Sequence, residues 1–217
     1  MTRHFVREIE KLKERLLALC AVVEETVYDA MRALRERDLV LAQKIIDSDT
    51  TIDESEVEIE EECLKILALH QPVATDLRYV VAILKINNDL ERIGDTAGNI
   101  AARAKSICAL GSVDLPPELE EMTIKTKKMV RDSLQSLINL DADMARGVCH
   151  ADVEIDQLNR RMYDLTHSAI SKDSSRSESY IMILSVSRNL ERIADLTTNI
   201  AEDVIYLIEG EIVRHRI

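Results

Sequence analysis

Residues 90–101 read LERIGDTAGNIA and residues 190–201 read LERIADLTTNIA, with eight of twelve positions identical at a constant offset of one hundred. In each word two acids and an amide fall four residues apart: Glu91, Asp95 and Asn99, then Glu191, Asp195 and Asn199. On a helix that spacing puts side chains nearly above one another, so each word predicts a row of oxygen ligands. Two acidic pairs of the same spacing lie upstream, Asp49 with Asp53 and Asp152 with Asp156. Oxygen donors with no adjacent Cys or His suit hard cations such as Mg²⁺, Mn²⁺, Ca²⁺ or iron. Two unit charges roughly 4 Å apart repel by about 4 kcal/mol at an effective dielectric of about 20, so clustered carboxylates require a cation, a proton or an arginine. In the competing reading Arg92 and Arg192 supply that charge, pairing with Asp95 and Asp195 at i, i+3 on a solvated face.

Long helices must carry these residues. Phe5, Ile9, Leu12, Leu16, Leu19, Val23, Thr26, Ala30 and Leu34 alternate by four and three, the seam of a helix packed along its length, and predict a first helix over about residues 2–35. A second helix is expected over about 39–69, ended by Gln71-Pro72 because proline disfavours helix at the residue before it. A third opens at Asp76, and its seam of Ile83, Ile86, Leu90, Ile93, Ala97 and Ile100 runs through the acidic word. After Gly111–Pro117, the stretch with linker punctuation, the plan recurs, with helices expected over about 118–140, 142–170 and 178–209. Earlier positions align at an offset of 103: Leu34 with Leu137, Asp38 with Asp141, Ala42 with Ala145, Asp49 with Asp152 and Asp53 with Asp156. The sequence therefore predicts an all-α protein of two tandem antiparallel three-helix bundle repeats, six long helices in all. The first repeat occupies 1–110, the linker 111–117 and the second repeat 118–217.

Counting from the turns gives the register. Asp49 with Asp95 and Asp53 with Glu91 share a midpoint at Pro72; Asp152 with Asp195 and Asp156 with Glu191 share one inside the Ser-rich turn 171–177. Equal counts along antiparallel helices mean equal height, so each repeat should face one acidic pair with another. Asp49 and Glu56 interrupt the apolar series Ile45, Ile52, Ile59, as Asp152 and Asn159 interrupt Val148, Ile155, Met162.

A formal net charge of -12 opposes binding to nucleic acid or to an anionic membrane. Few aromatics (3%) and only five Gly and three Pro fit long helices better than sheets. The apolar segment Leu16–Val23 is too short to span a bilayer, and the acids flanking it, Glu14, Glu24 and Glu25, argue against a signal peptide. Cys20, Cys63, Cys108 and Cys149 form no CxxC and suit a reducing cytoplasm. His4, His70, His150 and His215 are expected to be structural or solvated, His150 standing near enough to Asp152 to supplement a site. Asp164 and His167 have i, i+3 spacing without a second copy, and there is no P-loop, GxGxxG, GxSxG or Cys/His zinc pattern. Catalytic apparatus is not visible, and the chain is expected not to be an enzyme.

The doubled LERIGD/LERIAD words, each followed by NIA, and the upstream DxxxD pairs closely resemble the PhoU family of phosphate-signalling regulators over nearly the whole chain. That resemblance implies an all-α protein of two similar bundles with metal ions or clusters (iron, zinc, manganese or magnesium) at Asp49, Asp53, Glu91, Asp95 and Asn99, and at Asp152, Asp156, Glu191, Asp195 and Asn199. It also implies a cytoplasmic negative regulator linking the ATPase subunit of a phosphate ABC transporter to a sensor histidine kinase, reaching membrane complexes through those partners. A homodimer is a further expectation, since six amphipathic helices leave room for one. Ala194 stands where the family favours Gly, which should tighten the packing there. Two alternatives stay open: a carboxylate-bridged di-metal enzyme of ferritin-like type, although the chain lacks the Glu-x-x-His of such sites, and a helical scaffold whose acids are merely solvated.

Overall fold

The computed structural model describes residues 3–111 and 113–211; His215 lies outside them. Among the described residues the regular elements are all helical: α1 (Arg3–Glu36), α2 (Leu39–Asp47), α3 (Asp49–His70), α4 (Ala74–Ala109), α5 (Pro117–Asn139), α6 (Ala142–Lys172), a 3₁₀ turn (Ser174–Arg176) and α7 (Ser177–Glu209). The duplication is visible in the caps. Asp38 and Asp141, aligned at the offset of 103, each accept hydrogen bonds from the backbone N–H groups that open α2 and α6, from Val40 and Leu41 and from Met144 respectively. Each follows a left-handed residue, Arg37 at φ 57° and Leu140 at φ 51°, and each sends its own N–H back to the helix behind it, to Ala33 O and Ser136 O.

The second helix is not continuous over 39–69 but breaks at Ser48 into α2 and α3, within the plan of two three-helix bundles. Ser48 has φ −86° and ψ −3°, and its hydroxyl donates to Ile45 O at 2.9 Å. Its N–H is shared between Lys44 O and Ile45 O. A serine that competes locally for helix carbonyls bends or ends the helix. The break makes Asp49 the first residue of α3, where a carboxylate meets the positive end of the helix dipole.

The helices α1, α3 and α4 pack together, as do α5, α6 and α7, and the two groups join mainly along α4 and α7. The seams supply the core, with Leu12, Ile52, Ile59, Ile66, Ile86, Leu90, Ile93, Ile155 and Ile193 essentially closed to solvent. Lys85 of α4 meets Asp203 of α7 at 2.9 Å, while Arg103 of α4 meets Met182 of α7 at 3.8 Å. Low numbers on one helix face high numbers on the other, so α4 and α7 are antiparallel. Interpolating between these contacts puts the two acidic words at the same level of the molecule.

Candidate metal site

The acid pair of α3 and the acidic row of α4 come together as the register requires. One carboxylate oxygen from each of Asp49, Asp53 and Asp95 lies within 4.8 Å of the others. Burial pushes the Glu91 carboxyl up to about 7, reinforced by the charges of Asp95, Asp53 and Glu56 and by a hydrogen bond to Asp95. Asp49 is also raised, first by burial and then by Asp95 and Asp53. At this spacing a proton shared between Glu91 and Asp95 substitutes for a cation.

In the second repeat the matching acids also raise one another, with more burial, but among the described residues no three of their oxygens converge within 4.8 Å as those of the first repeat do. Asp152 is pushed up to about 6 by burial, then by Asp195, Asp156 and Glu191. Glu191 is raised by burial, Asp195 and Asp156, against a lowering by Arg188, and Asp195 is raised by burial and Asp156. Asp152 Oδ1 is buried without a hydrogen-bond partner. An acceptor shut away from water and unpartnered costs about 1–3 kcal/mol, and an oxygen ligand to a cation is one way to relieve it. The first cluster, with three carboxylate oxygens already within 4.8 Å of one another, fits a hard cation, and the second offers the same residue types with one buried, unpartnered oxygen.

Arginine does not take up the charge as the competing reading requires. Arg92 Nη1 turns to the buried Asp89 at 3.1 Å instead of Asp95, and Arg192 makes no ion pair with Asp195 among the described residues. Arg160 reaches Asp156 only at 3.9 Å, and Arg160 is well exposed. Asn99 is exposed and Asn199 half-buried one turn beyond the acids; neither hydrogen-bonds a carboxylate among the described residues. His150 is exposed on α6, and Asp164 and His167 are both exposed.

Beneath each cluster lies a polar tie that the motif alone did not reveal. Asn87 donates to Glu56 O at 2.9 Å, and Ser187, at the matching position, donates to Asn159 Oδ1 at 2.8 Å. Continuing the four-residue spacing one step back from Glu91 and Glu191 would have found both. These ties join α4 to α3 and α7 to α6 one turn from the acids, where they fix the separation of the helices. In the first repeat Gly94 lets Ile52, which lies between Asp49 and Asp53 in α3, come down onto α4. In the second, Ala194 and Ile155 occupy the matching places and are both fully buried.

Fold and site together define a class: internally duplicated helical proteins in which an acidic ExxxD row on one helix of each bundle faces a DxxxD pair on its neighbour. The family model described as PhoU domain matches residues 16–104 and 119–204, and the chain belongs to the PhoU family. It is 38% identical over 213 residues to the phosphate-specific transport system accessory protein PhoU homolog of Clostridium acetobutylicum, covering 97% of each chain. It is 37% identical to the homolog of Pseudomonas aeruginosa, over 99% of this chain and 89% of that one. The crystal structure of PhoU from Pseudomonas aeruginosa superposes with a TM-score of 0.93 at 38% identity, over 95% of this chain and all of that one. The phosphate transport system regulatory protein PhoU from Streptococcus pneumoniae superposes with a TM-score of 0.84 at 30% identity, over 96% and 99%. No helix among the described residues is long and apolar enough to cross a membrane.

Proposed function

We propose that this protein is an accessory regulator of phosphate uptake whose two acid clusters bind cations. The observation that carries the cation sites is the buried, unpartnered Oδ1 of Asp152 inside a group of four mutually repelling carboxylates. Asp49, Asp53, Glu91 and Asp95 would hold one cation and Asp152, Asp156, Glu191 and Asp195 another, with Asn99 and Asn199 a turn away. A bound cation supplies the positive charge that allows all four acids to ionise together. The phosphate role is supported by the names of relatives that share the fold over nearly their whole length. In this reading the protein works in the cytoplasm as an adaptor between the transporter ATPase and a sensor histidine kinase, holding the starvation response off while phosphate is plentiful. Homodimerisation belongs to the same reading.

The test is a strain lacking the gene and carrying a phosphate-starvation reporter. The wild-type protein should restore repression and co-purify with the transporter ATPase and the kinase. A variant with Glu91, Asp95, Glu191 and Asp195 all changed to Ala should lose bound metal by elemental analysis and lose repression. Full repression by a metal-free variant would remove the cation from the function, and no effect of the wild-type gene on the reporter would overturn the regulatory role.

A further inference from the structure

A second, chemically different cluster stands at the opposite end of the first hairpin, where α1 begins and α3 ends. His4 and Glu8 lie four residues apart on α1 and so share a helix face. His70 is the last residue of α3. Both oxygens of Glu8 point to imidazoles: Oε2 accepts from His70 Nε2 at 2.5 Å, and Oε1 lies 3.8 Å from His4 Nε2. Glu8 is buried at 7% exposure. The His70 ring is held edge-on against Phe5, with centroids 5.2 Å apart, and edge-on to His4 at 6.3 Å. Two imidazole nitrogens and a carboxylate, one pair at i, i+4 on α1 and the third from the end of α3, are a donor set for zinc-like ions.

We propose that His4, Glu8 and His70 form a site for a borderline divalent ion such as Zn²⁺, distinct in chemistry from the all-oxygen clusters. The ion takes the place of the proton through which His70 Nε2 holds Glu8. His70 and Glu8 are already fixed. Zn–N bonds of about 2.0–2.1 Å require the two imidazole nitrogens to converge, and His4 provides that movement because its side chain is 77% exposed and free to turn about χ1 and χ2. Water completes the shell from the solvent side, where the His4 side chain is largely exposed. A bound ion ties the first turn of α1 to the α3–α4 turn, which contains Pro72.

The test uses the full chain, purified free of metal and labelled at histidine. Addition of Zn²⁺ should shift the His4 and His70 imidazole resonances together and saturate at one ion for that pair. His4→Ala should abolish this uptake while Mn²⁺ binding to the acid clusters persists, and His70→Asn should do the same. Because His4 is exposed, its replacement leaves the fold intact, so the result stands even if His70→Asn does not fold. Co²⁺ in place of Zn²⁺ should give visible d–d bands without the thiolate charge-transfer of cysteine ligation. Unshifted imidazole resonances, or equal Zn²⁺ uptake by wild type and His4→Ala, would overturn the proposal.

Discussion

A Cβ added to Gly94 would stand 2.8 Å from Ile52 Cδ1 and 3.3 Å from its Cγ2. That contact lies between the two acidic pairs of the first cluster, so it sets how closely α3 and α4 approach there. Alanine normally gains about 1 kcal/mol over glycine inside a helix, but overpacking a core costs about 1–3 kcal/mol. Gly94→Ala is expected to lose the propensity gain and leave the fold no more stable than wild type. Ile52→Val, which removes Cδ1, should restore the gain, with a coupling energy of about 0.5–1 kcal/mol in a double-mutant cycle of urea midpoints. Additive effects would show that the helices are free to separate.

Stability of the metal-free protein should fall as pH rises through the range of Glu91 and Asp152. Glu91 is raised from 4.5 to about 7 and Asp152 from 3.8 to about 6. Between the ordinary and the raised values the folded state holds more protons than the unfolded one, so the slope of stability against pH is negative. Thermal melts at several pH values should show a higher Tm near pH 5 than near pH 8, and saturating Mn²⁺ should remove most of the difference. A flat or rising profile without metal would contradict the clustered arrangement.

Glu8 acts with the opposite sign. Its hydrogen bond to His70 is the main cause that holds its carboxyl below 4.5, and His4 and Lys65 lower it further. Its contribution is present above the ordinary carboxyl range and lost as pH falls through the lowered one. Glu8→Gln should therefore flatten the acid limb of the stability curve, measured by far-UV circular dichroism. An acid limb unchanged by Glu8→Gln would mean that other carboxylates govern it.

Asp152→Asn should separate folding from binding. The neutral amide is isosteric and removes a charge that burial and three neighbouring acids oppose, so the metal-free variant should melt higher than wild type above pH 7. The same change should reduce cation uptake at the second cluster, read by calorimetric titration with Mn²⁺. A variant both less stable and unchanged in uptake would speak for a purely structural aspartate.

Lys85 and Asp203 join the two repeats at 2.9 Å, with the Asp203 side chain 2% exposed. A hydrogen bond involving a charged group contributes about 1.5–3 kcal/mol, and Lys85→Met should cost about 2 kcal/mol by this principle. Urea unfolding followed by circular dichroism should show one transition at a lower midpoint. No shift in midpoint would mean that the Lys85–Asp203 pair does not help to hold α4 to α7.

The sequence by itself determined the duplication, the helical class and the register of the acids. These depend on chain-local quantities: a four-residue spacing selects one helix face, an offset aligns the repeats, and equal counts from Pro72 place Asp49 opposite Asp95. The tertiary structure decided what depends on neighbours. Ser48 broke the second helix by bonding back to Ile45, a local competition that the apolar periodicity running through it concealed. Arg92 turned to the buried Asp89 rather than Asp95, because i, i+3 pairing is available in both directions along a helix and packing selects between them. Glycine at 94 gave no sign of Ile52, and His4, Glu8 and His70 showed no shared pattern across more than sixty residues of chain. Side chains so far apart in sequence meet only when helix packing fixes which faces touch, and that choice is made by the whole core at once.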